Sequence, residues 1–163
     1  MQDINSIIDS LGHSTAILDQ FSASIPETEL HRRRGEGFWT IAEHIDHLAA
    51  VQPMLGLRIR RFLDEDAPEF IPFIPSEEAA ETEKSLMDVP TALAAFAVGR
   101  NEQVGMLTGA TDSDWIKMGR HPEYTRYSLY ILTRHILMHD HWHMYRMEEL
   151  WLARDAFLTQ LEG

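Results

Sequence analysis

The sequence predicts an all-α protein, an antiparallel four-helix bundle with one long Pro-rich crossover between its second and third helices. Four segments repeat apolar residues at steps of three and four positions, the spacing that places side chains on one face of a helix. No segment shows the strict apolar–polar alternation of a half-buried strand. Four amphipathic helices joined by loops are typical of a bundle.

The first predicted helix covers residues 3–22, where apolar side chains recur at helical spacing from Ile4 to Phe21. Pro26 and the basic, glycine-containing segment 31–37 predict the connection that follows it.

The second predicted helix begins after Thr40 and continues to about residue 64. Thr40 and Glu43 have the spacing of a capping box, in which each side chain satisfies a backbone N–H of the other residue. Pro53 lies inside this helix and removes one backbone hydrogen bond. Because the apolar repeat continues in phase beyond Pro53, we expect a kink and not a break.

Residues 66–75 contain three prolines and cannot form a helix or a central strand, so they predict the crossover. The acidic residues 77–86 predict a short solvated helix. Asp88 and Pro90 suit the start of the third long helix, and Gly109 suits its end. The last helix is predicted over residues 126–160.

The length of 163 residues predicts one domain, residues 1–163, that is large enough to bury a core. Fourteen basic residues against 26 acidic ones give a net charge of -12, which repels phosphate backbones and argues against a nucleic-acid partner. The chain has no basic signal-peptide region and no run of about 18 apolar residues, so we expect no membrane association. The absence of cysteine excludes disulfides and thiolate metal sites and fits a cytoplasmic protein.

Histidine is the residue type that needs an explanation, since the chain has nine. His139 and His143 lie one helical turn apart and fill a gap in the apolar face of the last helix. A buried imidazole without a partner costs about 1–3 kcal/mol, and two of them one turn apart are hard to satisfy separately. One divalent cation can satisfy both, because two helical imidazoles at this spacing can converge on a single ion.

The third ligand must come from another helix, and the second helix supplies His44 and His47. Helical phase places His44 near the middle of the apolar face and His47 towards its edge, so phase alone favours His44. His141 points away from the pair, and His121 has no partner at a useful spacing.

Other kinds of metal site fit the sequence less well. Di-iron carboxylate bundles use Glu-x-x-His motifs, and no histidine here has a glutamate three positions before it. A zinc-protease motif requires glutamate where Asp140 follows His139. A metal-free bundle with hydrogen-bonded core histidines is the remaining alternative.

Residues 38–48 read Phe-Trp-Thr-Ile-Ala-Glu-His-Ile-Asp-His-Leu, and His139-x-x-x-His143 follows much later. This combination resembles the DinB-like superfamily, which includes the YfiT-type proteins, over most of the chain. The resemblance implies a four-helix bundle that binds one divalent metal ion, commonly as a homodimer. Carried over by position, it implies His47, His139 and His143 as the ligands.

The same resemblance leaves His44 as a candidate for the surroundings of the metal, and proximity adds His135 and Asp140. The residues after His143 differ from the common family ending His-x-Gly-Gln, a departure that bears on the substrate class more than on metal binding, because the two ligand positions on this helix remain.

Three histidine ligands leave coordination positions open, which is typical of a catalytic site. The resemblance implies a metal-dependent enzyme, either a hydrolase or a transferase that uses an external low-molecular-weight thiol. The alternative is a non-catalytic, stress-related or dimerisation module stabilised by its metal. Zn, Ni, Fe and Co all suit imidazole ligands.

Overall fold

A computed structural model describes residues 3–72 and 86–159. In that part of the chain the helices are α1 (Ile4–Ser24), α2 (Glu27–Leu30), α3 (Ile41–Ala50), α4 (Gln52–Asp64), α5 (Val89–Thr108), α6 (Asp112–Ile116) and α7 (Leu129–Leu152), with a 3₁₀ turn at Asp155–Phe157. Two short antiparallel strands, β1 (Met118–Gly119) and β2 (Tyr127–Ser128), pair Met118 with Ser128. None of the described helices is long and apolar enough to cross a membrane.

The predicted four-helix bundle is confirmed. Its four long members are α1, the pair α3 and α4, α5, and α7. Both α5 and α7 pack against α1, α3 and α4. The long connection from α4 to α5 includes the proline-rich stretch, and the predicted helix over residues 77–86 lies almost wholly outside the described residues.

The predicted start of the second helix is also confirmed. The Thr40 hydroxyl accepts a hydrogen bond from the Glu43 N–H at 3.2 Å, and the Glu43 carboxylate accepts one from the Thr40 N–H at 2.5 Å. This capping box fixes the first turn of α3, the turn that is followed by His44 and His47.

Only Val51 separates α3 from α4, and its backbone stays helical (φ -82°, ψ -13°). The Val51 N–H still donates to the His47 carbonyl at 3.1 Å, and the Leu55 N–H donates to the Val51 carbonyl at 3.0 Å. Because Pro53 has no N–H to donate, the ladder is interrupted locally while the chain continues in the helical direction, as predicted.

The last helix is shorter than the predicted range 126–160. It starts late because Tyr127–Ser128 pairs with β1, and the Ser128 hydroxyl then accepts from the Ile131 N–H at 3.3 Å. It ends at Leu152 because Arg34 donates to the carbonyl oxygens of Leu150 and Ala153, the latter at 2.7 Å. Those carbonyls need a partner outside the helix, and a distant arginine supplies it.

The core consists of two apolar clusters with buried polar residues between them. Along α1 the clusters contribute Leu11 and Leu18, and along α5 they contribute Leu107 and Phe96. Between the two clusters, every long member of the bundle contributes at least one buried polar side chain. We call this set of side chains the polar layer, and its members are Ser14, Gln52, Arg100, Gln103 and Asp140. The polar layer is connected by hydrogen bonds from Arg100 to Asp140 (2.8 Å) and to Gln103 (3.0 Å), and from Gln103 to Gln52 (2.9 Å).

Candidate metal centre

Three histidine side chains from two helices converge beside the polar layer. α3 supplies His47, and α7 supplies His139 and His143. The Nε2 atom of His139 lies 3.2 Å from Nε2 of His47 and 3.2 Å from Nε2 of His143. All three candidate ligand atoms lie within 4.8 Å of one another. The three residues are those that the family resemblance implies as ligands.

The spacing of these nitrogens suits a metal ion. Zinc binds imidazole nitrogens at about 2.0–2.1 Å, which places two nitrogens of a tetrahedral site about 3.3 Å apart. Hydrogen bonding alone accounts less well for the arrangement, because Nε2 of His139 faces two other nitrogens and has only one hydrogen or one lone pair to offer. The residues therefore fit a divalent cation.

The protonation state of the cluster also suits metal binding. Burial, together with the charge of the nearby His47, lowers the pKa of His139 to about 4. Burial likewise lowers the pKa of His143 to about 2, with the charges of the neighbouring histidines acting in the same direction. Both imidazoles are neutral near pH 7 and have a lone pair available for a ligand bond.

His44 contacts His143 at the ring nitrogen that does not face the other two histidines of the cluster. Its Nδ1 atom lies 2.8 Å from Nδ1 of His143. If Nε2 of His143 is to serve as a ligand atom, its hydrogen must be on Nδ1 and donates to His44. The position of His44 is thus that of a residue that orients His143, and helical phase alone does not select the residue that converges with the α7 pair.

Trp39 covers the outer side of the cluster. Its ring centroid lies 5.2 Å from those of His44 and His47, and it stacks on His143 at 6.0 Å. The indole is 39% exposed, so it stands between the imidazoles and solvent. Sequence reasoning did not select Trp39, although it lies immediately before the cap residue of the helix that contains His44 and His47.

Asp140 and His135, both predicted to surround the metal, lie in different places. Asp140 is completely buried and forms an ion pair with Arg100 at 2.8 Å. Burial raises its pKa to about 6, against the opposing effect of the Arg100 charge. The structure therefore places Asp140 in the polar layer of the core and not in the pocket beside the histidines. His135 does lie beside the cluster, with its ring stacked on His139 at 6.3 Å.

A cavity of about 210 Å³ opens against the cluster. His47 and His139 form part of its lining, and its other polar residues are Arg58, His121, Glu123 and His135. Burial lowers the pKa of His121 and of His135, and the positive charge of Arg58 lowers both further. Sequence reasoning identified neither Arg58 nor His121, because tertiary folding alone brings them to this cavity.

Comparison with known protein families gives a match: the sequence model of the DinB superfamily matches residues 10–154 of this chain. The chain belongs to the DinB superfamily. It is 26% identical over 130 residues to a Geobacillus kaustophilus protein named "Putative metal-dependent hydrolase", a match that covers 78% of this chain and 72% of the relative.

This DinB-superfamily chain is also similar in fold to YfiT from Bacillus subtilis, described as a probable metal-dependent hydrolase with an unusual four-helix bundle topology. The two share 22% sequence identity, and the TM-score is 0.80. The match covers 92% of this chain and 86% of YfiT. Family, fold and histidine cluster together describe a metal-binding DinB-like protein.

Proposed function

We propose that this DinB-superfamily protein is a metal-dependent hydrolase of small acyl compounds. The observation that carries the proposal is that His47 and His139 belong both to the three-histidine cluster and to the lining of the cavity of about 210 Å³. A small molecule in that cavity lies directly against the candidate ligands. A purely structural metal site is closed by its protein ligands and needs no such cavity.

A divalent ion held by His47, His139 and His143 would polarise an electrophile and lower the pKa of water. Hydrolysis of an ester or amide joins the oxygen of water to the acyl carbon, breaks the bond from that carbon to the leaving group, and delivers one proton to the leaving group. His121 and His135 line the cavity, and their lowered pKa values keep them neutral near pH 7. Either imidazole can accept a proton from water and return it to the leaving group.

The Geobacillus protein and YfiT are both described as metal-dependent hydrolases, which favours hydrolysis over the other expected activity, thiol transfer. This chain has no cysteine, so a transferase reaction would need an external thiol as a second substrate. The metal is proposed to be one of Zn, Ni, Fe or Co, since all four accept neutral imidazole ligands.

The test begins with metal content. Elemental analysis of protein purified without a metal-affinity step is expected to find about one divalent metal per chain, as one three-histidine site requires. The His139→Ala variant should lose it. The matched control is His141→Ala, because His141 lies on the same helix, is exposed and is two positions away from a ligand. Unchanged metal content in His139→Ala overturns the site.

Activity is then measured on chelator-stripped protein reloaded with each of the four metals. Acyl 4-nitrophenyl esters and acyl 4-nitroanilides serve as substrates, with His139→Ala and His141→Ala beside the unaltered chain. Metal-dependent turnover that His139→Ala loses and His141→Ala keeps supports the proposal. Turnover that appears only with an added low-molecular-weight thiol identifies a transferase instead. Metal that raises thermal stability without any turnover identifies a stabilised, non-catalytic module.

A further inference from the structure

The cavity beside the metal centre contains a positioned guanidinium group. Arg58 of α4 lines the cavity together with His47 and His139. Its Nη2 donates to the carbonyl oxygen of Ile71 at 3.0 Å, and its Nη1 lies 3.4 Å from the hydroxyl of Tyr127. These contacts hold the side chain at the cavity while using only part of its five N–H donors.

The charge of Arg58 has no carboxylate partner among the described residues, since none of their ion pairs includes it. Arg58 shares the lining of the cavity with His121 and His135. Glu123 also lines the cavity, but it is exposed, and its backbone N–H donates to His121 at 3.3 Å. Arg58 therefore supplies a local positive charge at this wall of the cavity, and that charge attracts an anion.

We propose that this cavity binds a small acyl compound that carries a carboxylate, with Arg58 paired to the carboxylate and the hydrolysable group against His47 and His139. The proposal rests on the proposed hydrolase function and names its substrate class. An N-acylamino acid has both required parts, a carboxylate and an amide, within a few bonds of each other.

The chemistry of arginine supports a carboxylate. The planar guanidinium offers two parallel N–H donors that match the two oxygens of a carboxylate, and such charge-assisted pairs are about twice as strong as neutral ones. The chain has a net charge of -12, so its general field repels anions and only a local cation can hold one.

The size of the cavity supports a small substrate. Drug-sized ligands occupy sites of about 300–1,000 Å³, and this cavity measures about 210 Å³. For an N-acylamino acid, hydrolysis adds the hydroxyl of water to the acyl carbon and a proton to the nitrogen as the C–N bond breaks. The products are a carboxylic acid and a free amino acid, and no oxidant, reductant or further reactant is needed.

Binding is measured by isothermal titration calorimetry on the metal-loaded full chain. The probes are N-acetylglycine, N-acetylalanine and N-acetylaspartate, each compared with its neutral C-terminal amide. We expect at least one of the acids to bind about tenfold or more tightly than its amide, and we expect Arg58→Gln to lose that preference. Arg58→Lys should keep part of it, because lysine keeps the charge without the planar pair of donors.

The matched control is Arg60→Gln, since Arg60 is exposed on the same helix and does not line this cavity. It should leave the preference unchanged, and all three variants should keep their metal. A preference for the acid that survives in Arg58→Gln overturns the proposal. So does equal binding, or no binding, of acids and amides by the unaltered chain.

The same samples separate this inference from the proposed hydrolase function. If neutral esters are hydrolysed while acids and amides bind equally, the carboxylate assignment alone is wrong. If the acids bind through Arg58 and no acyl compound is hydrolysed with any metal, the hydrolase function is wrong and the anion site remains.

Discussion

The orientation of His143 depends on one neighbouring imidazole. Its Nδ1 lies 2.8 Å from Nδ1 of His44, and its Nε2 faces the cluster. The hydrogen bond to His44 selects the tautomer of His143 that has a lone pair on Nε2. With His143 as the donor, His44 has its own hydrogen on Nε2, an atom that is buried and has no hydrogen-bond partner among the described residues. A buried donor without a partner destabilises the fold, and a role in orienting the metal ligand accounts for it.

We predict that His44→Leu weakens metal binding about 10–100-fold, the usual effect of removing a hydrogen-bond partner of a metal-ligating histidine. His44→Gln should lose less, because its amide oxygen can accept from Nδ1 of His143. Competition titration with a chromophoric chelator measures the affinity, and His141→Leu is the control on an exposed histidine. Equal affinities for His44→Leu and the unaltered chain would show that His44 does not orient the ligand.

The choice between His44 and His47 shows what helical phase can and cannot predict. Phase placed His44 at the middle of the apolar face of its helix, and His44 is indeed buried, with 1% of its surface exposed. His47 is half-buried, at the edge where α3 meets α7 and Trp39. A metal ion that must also contact a cavity lies at such an edge. The most buried histidine of the helix, His44, is therefore not the candidate ligand, and the half-buried His47 is. The i, i+4 pair on α7 was predictable because its geometry is internal to one helix.

At the scale of the helices, α5 must approach α4 very closely. A Cβ atom on Gly99 would lie 2.5 Å from Cβ of Gln52, well inside contact distance. Gln52 cannot move away easily, because its side-chain oxygen accepts from Gln103 at 2.9 Å and its amide donates to the Leu48 carbonyl at 2.7 Å. Gly99 therefore fixes the spacing between α5 and the helix pair that presents His47.

We predict that Gly99→Ala destabilises the protein by about 1–3 kcal/mol, the usual result of forcing an extra methyl group into a packed contact. Gly105→Ala is the matched control on the same helix, since a Cβ there meets nothing within 4 Å. It should stabilise the protein by about 0.5–1 kcal/mol, because alanine favours a helix over glycine. Urea unfolding followed by circular dichroism measures both. A stabilising Gly99→Ala would show that α5 and α4 are free to separate.

Helix boundaries were predictable where a local pattern marks them and not where a distant contact sets them. The capping box of Thr40 and Glu43 is a pattern within four consecutive residues, so the sequence alone located the start of α3. The end of α7 depends on Arg34, which is distant in sequence and donates to its last carbonyls. Periodicity cannot register such a contact, and the predicted helix accordingly continued too far.

At the scale of the whole molecule, the metal centre lies level with the polar layer between the two apolar clusters. Arg100 and Asp140 are both completely buried there, and burial of an ion pair costs much of what the attraction returns. The pair connects α5 to α7, and separating its two members would leave each charge buried without its partner. The pair therefore holds α5 and α7 in one register. That register also sets the height of His139 and His143, which flank Asp140 on α7.

The metal-free protein is predicted to lose stability as the pH falls from about 6.5 to about 4. Burial holds the pKa of His44 and of His139 to about 4 and that of His143 to about 2, whereas histidine in an unfolded chain titrates near 6.5. In this window the unfolded chain binds protons at these positions that the native protein does not. Each such histidine therefore lowers the free energy of unfolding by up to about 1.4 kcal/mol per pH unit. Asp140 acts in the opposite direction, because its pKa is raised to about 6, and it cancels only part of the loss.

Urea unfolding of chelator-stripped protein at several pH values in this window measures the slope, which His139→Gln should make shallower because one of the buried imidazoles is gone. Near pH 7 a divalent metal at 100 times its dissociation constant should add about 2.7 kcal/mol. This gain should shrink as the pH falls, because protons compete with the metal for the same nitrogens. A stability that is constant or rises towards acid pH in the stripped protein would mean that the histidine cluster is solvated or already protonated in the native state. In that case burial does not lower the pKa values of these histidines in the native protein, and protons would compete with the metal for their nitrogens up to about pH 6.5.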